Sequence, residues 1–262
     1  MTRHPRHLIG SCVFALAAVG LMPGSAAVAV PAESNGAAAF WTRAKLDSAL
    51  SRDVVFDRAT KVGWVESQAK SSKKPGGGGA GTVIGGPWTQ GGRAATATGK
   101  VFFVMSGVTY VCSGGLVQDG VSGRSLVMTA GHCAFDNEHA LFATNWIFIP
   151  DYDAAAANAS CSGSTGVTFP YGCFSATALV VRSEFANELK FTQTAINHDW
   201  AFAVLAGNLD STVGSFPLAV SGLTVGAIGY SFGYPQAAPY RGADLIYCAG
   251  PVGQDPYNGM AW

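Results

Sequence analysis

From about Ala95 onward the chain is a series of short β-branched and aromatic runs, and helical periodicity is nearly absent between them. Lys100–Met105 and Val108–Cys112 are parted by Ser106-Gly107, a hairpin signal. Further runs span Ser125–Thr129, Trp146–Ile149, Ala176–Val181, Trp200–Leu205, Val225–Tyr230 and Leu245–Cys248. Many short strands separated by turn residues predict an all-β barrel or sandwich. The 34 glycines suit that architecture, since tight turns need positive φ. Acids and bases balance at 16 each, so charge does not steer the chain toward nucleic acid or an anionic membrane.

Residues 1–29 stand apart. Arg3, His4, Arg6 and His7 form a basic start, Leu8 to Leu21 an apolar run, and Ala26 to Ala29 a small-residue stretch. That is the layout of a secretory signal peptide cleaved after Ala27 or Ala29, and the run is too short to span a bilayer. A lipoprotein reading of Ile9-Gly10-Ser11-Cys12 is weaker, because most of the apolar region lies beyond Cys12. The expected destination is extracellular, with no membrane contact after leader removal. An oxidising compartment favours disulfides. Of six cysteines Cys12 leaves with the leader, so five remain: Cys112, Cys133, Cys161, Cys173 and Cys248. Four can pair and one is left over.

Residues 30–94 differ in character from the β-rich remainder of the chain. Phe40 to Leu50 reads as one amphipathic helix, with Leu46 and Leu50 a turn apart. Lys73-Lys74-Pro75 and Gly76 to Gly79 then read as a linker. A propeptide is expected here, with an ordinary N-terminal extension as the alternative. Residues 95–262 form the expected folded domain.

The strongest chemical signal is Thr129-Ala130-Gly131-His132-Cys133 at the end of an apolar run. A histidine held at a strand end beside a disulfide suits a general base whose ring must not wander. Cys133 can reach back to Cys112, closing a loop of about twenty residues worth about 3 kcal/mol. Asn197-His198-Asp199-Trp200 places a carboxylate just ahead of another apolar strand, where it can accept the ring N–H of His132. The bland alternatives are a buried histidine satisfied by backbone and a strand-capping aspartate. Cys161 and Cys173 flank a Ser- and Gly-rich loop and read as a local disulfide. His139 and His198 read as surface residues, and Asp151 with Asp153 as a solvated turn rather than a cation site. Gly229-Tyr230-Ser231-Phe232-Gly233 fits the nucleophile elbow of α/β-hydrolases. That fold needs a histidine after the serine, yet all five histidines precede Ser231, so Ser231 reads as a turn or strand residue.

Cys112-Ser113-Gly114-Gly115, Thr129-Ala130-Gly131-His132-Cys133 and Asp199-Trp200-Ala201-Phe202 resemble the successive landmarks of the chymotrypsin/trypsin-like serine proteases. Gly99 to Phe103 and Phe232-Gly233-Tyr234-Pro235 resemble the secreted bacterial trypsin-like peptidases more narrowly. The resemblance implies a chymotrypsin-like double antiparallel β-barrel acting on polypeptides as a monomer, without cofactor or metal. His132 would be the general base and Asp199 its orienting partner. In that family the serine comes after the aspartate, inside a G-D-S-G-G-P-like loop. After Asp199 the only serines are Ser211, Ser215, Ser221 and Ser231, none in that setting. The sequence is therefore expected to be a fragment, truncated before the catalytic serine, with an incomplete second barrel, an unpaired Cys248 and no activity of its own. The alternative is a non-catalytic protease homologue acting as a binding or regulatory module. Val83-Ile84-Gly85-Gly86 also resembles the new N-terminus of activated trypsins.

Overall fold

The structure, a computed structural model, describes residues 27–31, 36–57, 59–66, 82–155, 157–161, 166–219 and 224–254. Most of the expected leader, the 67–81 linker and Ser221 lie outside these residues. The N-terminal third contributes β1 (Ala27–Pro31), α1 (Ala37–Phe40), α2 (Arg43–Ser48), β2 (Leu50–Ser51), the hairpin β3 (Asp53–Asp57) with β4 (Val62–Glu66), and β5 (Val83–Pro87). Next come β6 (Thr98–Met105), β7 (Val108–Val117), β8 (Arg124–Thr129), a small hairpin β9 (Phe135–Asp136) with β10 (Leu141–Phe142), and β11 (Thr144–Pro150). The series ends with β12 (Phe174–Arg182), the two-residue β13 (Phe191–Thr192), β14 (Ala201–Ala206), β15 (Ile228–Gly233) and β16 (Ile246–Pro251).

Strands β12, β11, β6, β7, β8 and β14 pair in that order, and β14 pairs back onto β12. The result is a closed six-stranded antiparallel barrel. Closure removes the exposed edges that an open sheet would present. Inside it sit Val101, Phe103, Leu116, Val127, Leu179 and Ala203, all fully buried. The opposite face of β6 and β11 is covered as well. There Phe102, Ile147 and Ile149 pack against Ala37, Trp41 and Leu46 of the N-terminal third. Cover on both faces is why these strands read as continuous apolar runs rather than alternating ones.

The expected helix over Phe40–Leu50 is instead two short helices with a break at Trp41–Thr42. The Thr42 hydroxyl caps α2 by accepting the Lys45 N–H at 3.4 Å. The break frees Trp41 to leave the helical path. Its ring is fully buried 5.5 Å from Phe102, and its indole N–H donates to the Asn145 carbonyl at 2.6 Å. Leu46 is buried as expected. Leu50, however, belongs to β2, which pairs in parallel with Tyr110–Val111 of β7.

A second, three-stranded sheet has the order β15–β16–β5. The Val83–Pro87 segment is thus a strand paired with β16, and the Tyr240 hydroxyl donates to the Gly85 carbonyl at 2.9 Å. Strand β15 begins at Ile228 rather than Val225, because Thr224–Ala227 closes a turn through Ala227 N–H to Thr224 carbonyl. No helix among the described residues is long and apolar enough to cross a membrane.

Candidate active site

Strand register brings the two sequence motifs together. Ala201 of β14 faces Thr129 of β8 in an antiparallel pair. Continued past the strand ends, that register sets Asp199 across from Gly131. The chain turns sharply there, in a 3₁₀ turn over Gly131–Cys133. The Cys112–Cys133 disulfide ties this turn to β7. The Trp146 indole N–H donates to the Cys133 carbonyl at 3.1 Å. Thr129 adds a hydroxyl bond to the Ser113 carbonyl at 2.8 Å. The turn is therefore braced from β7 and β11 as well as its own strand.

Asp199 grips His132 at two points. Its Oδ1 accepts the backbone N–H of His132 at 2.7 Å, and its Oδ2 meets ring Nδ1 at 2.7 Å. Gly131 makes that approach possible, since a Cβ there would lie 3.0 Å from Asp199 Oδ1 and 3.1 Å from the Phe185 ring. The two side chains are only 15% and 14% exposed, which strengthens both contacts relative to water. A carboxylate can only accept, so the ring proton sits on Nδ1 and the lone pair on Nε2 becomes the basic atom. Phe191 of β13 meets the imidazole edge-on at 6.0 Å. This arrangement can take a proton from a nucleophile and stabilise the resulting imidazolium.

The other sequence candidates fall away from this point. His139 is exposed, with Nδ1 on Asp136 at 3.0 Å, and His198 caps its own helix through Nδ1 and the Thr194 carbonyl at 2.9 Å. Cys112, His132 and Cys133 place ligand atoms within 4.8 Å of one another, but the disulfide occupies both sulfurs. Asp153 accepts from the Tyr234 hydroxyl at 3.3 Å and the Leu245 N–H at 3.4 Å. Ser231 is mid-strand in β15 opposite Cys248. Cys161 and Cys173 form the expected local disulfide.

The structure corrects the expectation for Cys248. It is disulfide-bonded, and no cysteine among the described residues is free.

Two solved structures are similar to this chain. The crystal structure of the thermostable serine protease AL20 from an extremophilic microorganism is 32% identical, with a TM-score of 0.50, over 63% of this chain and 69% of that one. Protease Anisep from Arthrobacter nicotinovorans is also 32% identical, with a TM-score of 0.53, over 67% of this chain and 71% of that one. The chain belongs to the serine proteases of the trypsin/chymotrypsin-like fold. No protein-family model matches the sequence, and no curated protein matches it significantly.

In this member of the family the surroundings of His132 include residues that sequence reasoning missed. Arg52 is buried, its Nε donating to Met105 Sδ at 3.1 Å and its NH2 lying 3.7 Å from Asp136. Burial lowers the Arg52 pKa, and the Asp136 carboxylate works against that. Asp53 is held above the usual carboxylate range by burial, while a Ser51 hydrogen bond and the His132 ring pull it down. The signal was present in sequence as Asp53 to Asp57 and Val62 to Glu66, two β-branched runs parted by a turn.

Proposed function

We propose that this chain carries the general base and orienting acid of a secreted serine-type endopeptidase. His132 Nε2 takes the proton of an attacking hydroxyl and later returns it to the leaving amine of a cleaved peptide bond, while Asp199 holds the Nδ1 tautomer. The observation that carries this reading is the two-point grip of Asp199 on His132 at the barrel rim. Export is supported by the leader-like first residues and the disulfides.

The described serines after Asp199 offer no nucleophile. Ser211 donates to the Asn208 carbonyl at 2.7 Å, Ser215 is buried, and Ser231 lies within β15. The polypeptide of this sequence is accordingly proposed to be silent on its own. A fluorophosphonate, which reacts with base-activated serines, should label no residue, and casein should stay intact. A serine labelled in a His132-dependent manner would overturn that assignment.

A further inference from the structure

The mechanism leaves one contact of the site unused. Strand β13 lies directly beside His132, with the Phe191 ring against the imidazole. Its backbone pairs antiparallel with β4, Phe191 facing Gly63 and Thr192 facing Val62. The hairpin that supplies β4 comes from the N-terminal third, far from the barrel in sequence, and five register pairs hold it together.

Its fit against the site is close. A Cβ on Gly63 would lie 2.9 Å from the Val55 carbonyl oxygen of β3 and 3.1 Å from Phe191 Cβ of β13, so glycine lets β4 lie close to both strands. Val54 and Val65 pack against the barrel core, and Val55 and Phe56 are buried. At the hairpin's entry Arg52 is locked onto Asp136, three residues beyond the Cys133 end of the His132 turn, with its guanidinium over the Tyr110 ring at 5.3 Å. The carboxyl of Asp53, the first residue of β3, is raised by burial and pulled down by a Ser51 hydrogen bond and by the His132 ring.

We propose that Phe191–Thr192 is a docking edge for an extended polypeptide beside the base, and that the chain's own segment Leu50–Glu66 occupies it and shields His132 from substrate. The inference rests on His132 being the base. A docked strand forms main-chain hydrogen bonds with an edge whatever its sequence, so this edge accepts polypeptide backbone as a class. An occupant built into the same chain competes at high effective concentration, and only opening of the hairpin admits another strand.

The test is carbethoxylation of histidines in the full chain by diethyl pyrocarbonate, read site by site by peptide mapping. Gly63→Val crowds both β3 and β13 and so displaces the hairpin from β13. His132 should then react about tenfold faster, in proportion to the open population, with His198 unchanged. A synthetic peptide of residues 50–66 added in trans should restore the protection. If His198 also speeds up, the variant has lost its fold, and Arg52→Lys, which loosens the Asp136 anchor while keeping the charge, decides instead. An unchanged His132 rate in the folded variant overturns the proposal. The reagent reports access to the ring whether or not any peptide is cleaved. Fast modification of a His132 whose Nδ1 proton is indifferent to Asp199→Ala would therefore sink only the functional reading.

Discussion

Replacing Asp199 by alanine should lower folding stability by about 3 kcal/mol, one of the larger losses open to a single substitution in this barrel. The carboxylate accepts both the backbone N–H and the ring Nδ1 of His132, each at 2.7 Å. Alanine leaves two largely buried donors without an acceptor, and each such loss costs about 1–3 kcal/mol. Asparagine should cost less, since its amide oxygen can still accept one of the two bonds while its NH2 faces the other donor. Urea unfolding checks this as a shift in midpoint at unchanged slope. A loss below about 0.5 kcal/mol for alanine would mean that His132 is held by other contacts.

The second large effect concerns Lys100, on β6 at the junction of the barrel with the Pro235–Gly242 segment. Its ammonium nitrogen donates to the Gly242 carbonyl at 3.1 Å and lies 4.4 Å from the Tyr152 ring. Burial is the main cause that lowers its pKa from 10.5 to about 7, with Arg43 adding repulsion and Asp47 opposing it. Between those two values the unfolded chain binds a proton that the folded chain does not. Stability should therefore rise with pH across that window, by up to about 1.4 kcal/mol per unit, and the full penalty should be present below it. Lys100→Met has no proton to bind. Its stability curve should be flat where the parent's climbs, with a higher midpoint at neutral pH despite the unpaired Gly242 carbonyl. Parallel curves for the two proteins would show that Lys100 stays charged in the folded chain.

The barrel was legible in sequence where strands are covered on both sides. β6 and β11 announced themselves as unbroken apolar runs because Trp41 and Leu46 lie against the face that an ordinary barrel strand shows to water. What covers them was not legible. The packing of residues 37–49 on β6 and β11 joins positions about a hundred apart, as in Trp41 to Asn145, and local pattern carries no trace of it. The proposed base and its partner stood out as motifs, since Gly131, His132 and Asp199 each carry a chemical requirement, and the fold brings the three together. Their surroundings did not stand out. Arg52 and Asp53 look like solvated charges in sequence, whereas in the fold Arg52 is buried between Met105 and Asp136 and burial raises the Asp53 pKa.

The central claim is that Asp199 fixes His132 as a base with its free lone pair on Nε2. Nitrogen-15 NMR of the imidazoles in the folded chain tests this directly, since protonated and unprotonated ring nitrogens resonate far apart. In the neutral imidazole the His132 proton should reside on Nδ1, exchange slowly with water, and lose that protection in Asp199→Ala. A proton on Nε2, or a His132 signal indifferent to Asp199→Ala, would contradict the claim.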